Sequence, residues 1–171
     1  MITKKMAKAL NEQIKNEIFS SYLYLSMSAW SSTQGLKGFA NWFYIQSKEE
    51  MVHAIKFYHY VLDQGEPVEL HEIPKPEKDF KNPVKVFEEV LKHEQFITKS
   101  IYGLVDLALE EKDHATNAFL QWFVTEQVEE EANVNSILDQ LKLTKSDGNG
   151  IFMIDKELAT RTFVLPAGVT I

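Results

Sequence analysis

The chain contains no cysteine, which removes disulfides, thiolate metal sites and cysteine nucleophiles together. A reducing cytoplasm is the expected home of such a sequence. Helix breakers are scarce: there are 7 glycines and 5 prolines, and all the prolines but Pro166 fall between Pro67 and Pro83. Long stretches elsewhere carry nothing that interrupts a helix, so an all-α fold is predicted. Positive charge is also in short supply. The formal net charge is -7, which leaves no basic footprint for a phosphate backbone, and no nucleic-acid partner is expected. The N-terminus, Met1-Ile2-Thr3-Lys4-Lys5, lacks the apolar block of a signal peptide. From Ile18 to Leu36 charge is missing altogether, over nearly the length that spans a bilayer. The same stretch holds Ser20, Ser21, Ser26, Ser28, Ser31, Ser32, Thr33 and Gln34; it reads as a buried helix, and no membrane partner is expected.

What is present is core-forming material. Of 171 residues, 44% are hydrophobic and 12% aromatic, enough for one folded domain over 1–171. Four long helices are predicted. The first runs from about Lys5 to Thr33 and stops at Gly35, and the second runs from Lys37 to about Gln64 before Gly65. The third opens at Asn82-Pro83, an N-cap followed by proline at the first helical position, and continues to about Glu111. Asp113 caps the fourth, which reaches about Leu143, so the bundle occupies about 5–143. A long connection, about 65–82, separates the second and third helices. Most antiparallel helices are joined by far shorter links, and a four-helix bundle with one long crossover is the layout this implies. After a turn at Ser146-Asp147-Gly148-Asn149-Gly150, a short amphipathic helix is expected over about 150–163, stopped by Pro166.

Each long helix carries an inward stripe with steps of three and four residues. The first reads Ala7, Leu10, Ile14, Glu17, Ser21, Tyr24, Ser28, and the second Phe39, Phe43, Gln46, Glu50, His53, Phe57, Tyr60. The third reads Val84, Phe87, Leu91, Glu94, Thr98, Ile101, Val105, Ala108, and the fourth Leu120, Phe123, Gln127, Glu130, Val134, Ile137, Leu141. Every stripe breaks near mid-helix at a residue able to bind a hard cation: Glu17, Glu50 with His53, Glu94, and Gln127 with Glu130. In a bundle these breaks meet at one height. Desolvating a single carboxylate costs about 20 kcal/mol in the idealised limit and several after relaxation. Crowded acids can respond by staying protonated. A metal offers fuller compensation, and oxygen donors with one imidazole suit iron or manganese.

With Glu17, Glu50-Met51-Val52-His53, Glu94 and Gln127-Val128-Glu129-Glu130 in place, the sequence resembles the non-haem bacterial ferritins over essentially its full length. The resemblance implies a ferritin-like four-helix bundle with a short fifth helix. It implies one iron held by Glu17, Glu50 and His53, with Glu50 bridging to a second held by Glu94 and Glu130 and with Gln127 beside the pair. It further implies that Glu49, Glu126 and Glu129 are ligands of a third, adjacent iron, to which Glu130 connects; on residue type alone they read as a solvated acidic face. Tyr24, one heptad after Glu17, matches a tyrosine thought to donate an electron; it reads equally as a core aromatic with a hydrogen-bonded hydroxyl. Trp122 reads as packing before redox chemistry.

Two departures mark the subgroup. The fourth helix has Gln127-x-x-Glu130 where many di-iron bundles have a second Glu-x-x-His. Met51 stands where bacterioferritins ligate haem between subunits, but haem-free members carry methionine there too, and no haem is expected. His59, His71, His93 and His114 fit exposed positions. The function implied is ferroxidase and storage: Fe(II) is oxidised by O2 or H2O2, and ferric mineral fills a hollow homo-oligomer of twenty-four subunits. Ile151, Phe152, Ile154 and Leu158 of the fifth helix would supply apolar surface at its fourfold axes. The alternative is a non-storage di-iron carboxylate oxidase or peroxidase of the same fold.

Overall fold

A computed structural model describes residues 2–145 and 147–165, leaving the proposed turn residue Ser146 and stop residue Pro166 outside the described residues. The chain forms five helices: α1 (Lys4–Thr33), α2 (Lys37–Asp63), α3 (Pro83–Glu110), α4 (His114–Leu143) and α5 (Gly148–Leu158). Local chemistry sets the long helices' ends. Thr3, Asn82 and Asp113 accept hydrogen bonds from the first-turn amides of α1, α3 and α4, each satisfying a donor that the helix itself cannot. Gly35 and Gly65, at φ of 76° and 77°, turn the chain out of α1 and α2 in the left-handed region that glycine enters without penalty.

The buried apolar residues fall into two clusters. One joins Leu23 and Met27 of α1, Phe39 and Phe43 of α2, Phe87 and Val90 of α3, and Val134 and Leu141 of α4. The other joins Met6, Leu10 and Ile14, then Phe57 and Val61, Ile97 and Ile101, and Leu120 and Phe123. Thus α1 and α4 run one way while α2 and α3 run the other. The α2–α3 connection therefore has to return along the whole bundle. A 28-residue helix such as α3 is about 42 Å long at 1.5 Å per residue, which explains the length of the crossover. It is pinned to α1 on the way. Asn11 Nδ2 donates to the Pro67 carbonyl at 3.2 Å, the Glu69 amide donates to Asn11 Oδ1 at 2.9 Å, and Ser26 Oγ donates to the Glu77 carbonyl at 2.6 Å. Among the described residues, no helix is long and apolar enough to cross a membrane.

The fifth helix differs from its sequence expectation. It starts earlier, because Asp147 caps the Gly150 amide, and it ends at Leu158 instead of continuing to Phe163. The segment beyond it trades helical bonds for contacts with α2: Asn41 Nδ2 donates to the carbonyls of Leu158 and Arg161 at 3.2 and 3.0 Å. Ile154 and Leu158 are spent inside the subunit, in the same cluster as Phe39 and Phe43, while Phe152 stays exposed.

This docking also repairs α2. Leu36 offers its N-terminus no side-chain cap, and Asp155 of α5 supplies one, accepting from the amides of Gly38 and Phe39 at 2.7 and 3.1 Å. The approach works only because residue 38 has no side chain: a Cβ there would lie 1.6 Å from the Asp155 carbonyl oxygen. Gly38→Ala is therefore expected to push α5 off α2 and to cost about 1–3 kcal/mol, in the range of other overpacked sites. A thermal melt with hydrogen exchange across α5 checks this, and unchanged protection there would contradict it.

Candidate metal centre

Between the two apolar clusters lies a polar belt. Glu17, Glu50, His53, Glu94, Gln127 and Glu130 are all buried within it, none more than 4% exposed. Each reaches the belt because it sits on its helix's inward stripe, at the height where that stripe turns polar. Glu17, Glu50 and His53 converge most closely, each offering a donor atom within 4.8 Å of the others'. His53 Nδ1 is 3.4 Å from Glu50 Oε2. Two buried atoms in this group, Glu17 Oε2 and His53 Nε2, have no hydrogen-bond partner. Orphaned buried polar atoms are rare in folded proteins, and here they belong to side chains suited to a hard cation.

Glu94 and Glu130 are held on the far side by neutral donors. Tyr24 Oη donates to Glu94 Oε1, and Gln127 Nε2 donates to Glu94 Oε2 at 3.1 Å. Gln46 Nε2 donates to Glu130 Oε2 at 2.9 Å, and Gln13 Nε2 donates to Glu17 Oε1 at 2.7 Å.

The electrostatics are those of carboxyls crowded out of water. Burial, then the negative charge of Glu50, raises Glu17 well above the ordinary carboxylate range. Burial, with Glu94 and Glu130 opposite, does the same to Glu50. Glu94 is raised by burial against the opposing hydrogen bonds of Tyr24 and Gln127. Glu130 is pushed up to about 8 by burial and by Glu94. Without a cation, the belt therefore keeps protons at neutral pH. Tyr24 is likewise driven up by burial and by the Glu94 charge, so its hydroxyl stays protonated. The ring packs parallel to Phe43 and edge-on to Trp42. Trp122 stands edge-on to His53 with ring centroids 5.4 Å apart, and Lys56 lies over its indole.

The outer acids are arranged less tightly. Glu49 is partly buried, Glu126 is intermediate and Glu129 is exposed. Glu49 senses the charge of Glu126, but burial is the largest influence on it and raises its pKa. Its carboxylate is engaged by Arg161 at 2.6 Å. Met51 is 41% exposed on α2.

Several contributing side chains escaped the sequence reading. Gln46 was visible on the α2 stripe, four residues before Glu50, and Gln13 sits four residues before Glu17; that spacing places each on the same helical face as its carboxylate. Arg161 gave no signal, since it is 112 residues from Glu49. His93 corrects an expectation of exposure. It lies in the α1–α3 groove with Ser20 Oγ 2.7 Å from Nε2 and Phe19 against its ring, and burial lowers its pKa to about 4.

Comparison with known proteins adds the lineage. The model of the ferritin-like domain matches residues 7–144. The bacterial non-heme ferritin of Staphylococcus haemolyticus is 39% identical over 163 residues, covering 95% of this chain and 98% of that one. The bacterial non-heme ferritin of Campylobacter jejuni is 44% identical over 156 residues, covering 91% and 93%. Among solved structures, the open pore ferritin of Archaeoglobus fulgidus superposes with a TM-score of 0.94 at 45% identity, covering 95% of this chain and 100% of that one.

Proposed function

Because this chain belongs to the ferritin family, we propose that it stores iron as a single ferritin-like domain over 1–171, oxidising Fe(II) inside each subunit and depositing ferric mineral in a hollow shell of twenty-four copies. The observation that carries this reading is the pair of partnerless buried atoms, Glu17 Oε2 and His53 Nε2, beside Glu50 in the polar belt between the two apolar clusters. In this proposal iron is the substrate. Glu17, Glu50 and His53 take one Fe(II), and Glu50 bridges to a second held by Glu94 and Glu130. Gln127 steadies Glu94 through its amide.

Fe(II) displaces the protons that the belt holds, and the carboxylates become ligands whose negative charge matches the growing charge of the metal. Each Fe(II) gives one electron to O2 or H2O2, and holding two ions together lets a pair be delivered to one oxidant. The Tyr24 hydroxyl, bonded to Glu94, is placed to lose an electron while its proton passes to that carboxylate. Trp122, against His53, serves chiefly to pack the ligand. Glu49, Glu126 and Glu129 form a third, adjacent iron site, to which Glu130 connects. No haem is needed, and the cysteine-free shell would work in the cytoplasm.

The direct test is a crystal soaked anaerobically in Fe(II), with anomalous scattering used to find the metal. Peaks are expected between Glu17, Glu50 and His53 and between Glu50, Glu94 and Glu130. Iron found only on the outer surface would sink the proposal. Light scattering gives a second check, since a dimer in place of a large shell would argue for a non-storage oxidase.

A further inference from the structure

The sequence contains a single arginine among its 18 basic residues, Arg161, and the fold places its guanidinium on Glu49. Nη2 lies 2.6 Å from Glu49 Oε2, with side chains 25% and 17% exposed. The guanidinium carbon stands 4.9 Å from the centre of the Trp42 ring, and the Arg161 carbonyl is held by Asn41. Thus a segment beyond α5 reaches back across α2 and sets a positive charge on one member of the outer acidic group.

We propose that Arg161 is a positioning residue for the third metal site. Its guanidinium holds Glu49 in the metal-free subunit and must be displaced for a cation to bind Glu49, Glu126 and Glu129. Loading that site therefore frees the segment 159–165 from α2. The inference rests on the reading of those three glutamates as a third site.

Three features support an exchangeable contact over a permanent one. Arg161 Nη1 is buried without a partner, so the guanidinium does not make the two-pronged bond that gives arginine its strongest hold on a carboxylate. Leaving that donor unsatisfied also weakens the placement. Glu126 is the acid whose charge Glu49 senses, and Arg161 makes no bond to it. A divalent ion can join both carboxylates with twice the charge. His53 also bears on Glu49, and Glu50 and Glu130 feel the Glu49 charge; the roles of all three lie with the inner pair.

The test uses the assembled protein and redox-inert Zn(II), titrated calorimetrically, with hydrogen exchange read over 159–165. Wild type, Arg161→Gln, Arg161→Lys and Glu49→Gln are compared. Filling the third site in wild type is expected to speed exchange in 159–165. Arg161→Gln should bind the third Zn(II) roughly tenfold more tightly, the equivalent of losing about one charged hydrogen bond as competitor. Its 159–165 segment should exchange fast before any metal is added. Arg161→Lys keeps the charge and should stay nearer wild type, which a purely structural role would not require. If Glu49→Gln abolishes the third binding event while Arg161→Gln leaves it unchanged or weaker, the third site stands and the proposal falls. If neither wild type nor Arg161→Gln takes a third Zn(II), the third-site reading fails and takes the proposal with it. Should Arg161→Gln not assemble, wild type alone decides: unaltered exchange in 159–165 on filling the third site overturns the idea.

Discussion

Glu50→Ala is expected to bring Fe(II) oxidation down to its rate in protein-free buffer while leaving the shell assembled. Glu50 faces both halves of the belt: it shares the close group with Glu17 and His53 and feels Glu94 and Glu130 across the bundle. In the proposed two-iron arrangement, removing it would leave neither ion a complete set of ligands and would break the link between them. Residues that only orient ligands typically cost about 10–100-fold when lost, so the loss of a bridging ligand should exceed roughly 100-fold. Gln46→Leu provides the graded comparison. It strips one hydrogen bond from the proposed ligand Glu130 and is not itself a proposed iron ligand, so a loss of about tenfold is expected. Stopped-flow absorbance after mixing Fe(II) with aerated protein measures both. If Glu50→Ala oxidises iron at the wild-type rate, the chemistry happens elsewhere.

The iron-free protein should lose stability as pH rises from 6.5 toward 8, opposite to what salt-bridged surface acids produce. Glu130 has a folded pKa of about 8 against an ordinary value of 4.5, and Glu17, Glu50 and Glu94 are raised by the same burial. A carboxyl whose folded pKa lies above its unfolded one binds more protons in the native state. Its stabilising contribution is complete below the unfolded value and is lost as pH climbs through the folded value. His93 works the other way, since burial lowers it from 6.5 to about 4. Its contribution is nearly complete above 6.5 and is lost as pH falls from there toward 4, so in the chosen window it opposes the trend only weakly, near the lower limit.

From pH 6.5 to 8, Glu130 alone should remove on the order of 2 kcal/mol. That corresponds to a Tm lower by about 4–8 °C for a subunit of this size. Glu130→Gln should flatten the slope. Loading the centre with Zn(II) should remove it, because metal replaces the protons, and should release protons on binding. A Tm that climbs with pH across this range in the iron-free protein would show that the belt is ionised and compensated in another way. Replacing Glu17, Glu50, Glu94 and Glu130 together with apolar residues tests the same idea. Oxidation should cease while the metal-free bundle stays folded or gains stability, and unfolding would mean that the acids hold the helices together.

Most of the architecture was open to a reading of the chain alone. The caps Thr3, Asn82 and Asp113 and the turns at Gly35 and Gly65 act within a few residues of the helix ends they control. The inward stripes report burial because a helix repeats its face every three or four residues. Glu17, Glu50, His53, Glu94, Gln127 and Glu130 stood out as polar breaks in those stripes, and all six are buried. The third-helix stripe was the least well drawn. Val84, Leu91 and Val105 are only partly buried, and Val86, Val90, Ile97 and Leu104 carry more of the core.

The sequence by itself therefore determined the helices, their order and the height at which carboxylates interrupt the core, since these follow from hydrogen bonds and periodicities a few residues long. Only the tertiary structure decided how the ends were joined. Asp155 caps α2 from 117 residues away, Arg161 reaches Glu49, and His93 turns into the α1–α3 groove. Those contacts unite residues whose local patterns say nothing of each other. They exist because unsatisfied amides and charges find partners only when packing brings distant segments within about 3 Å.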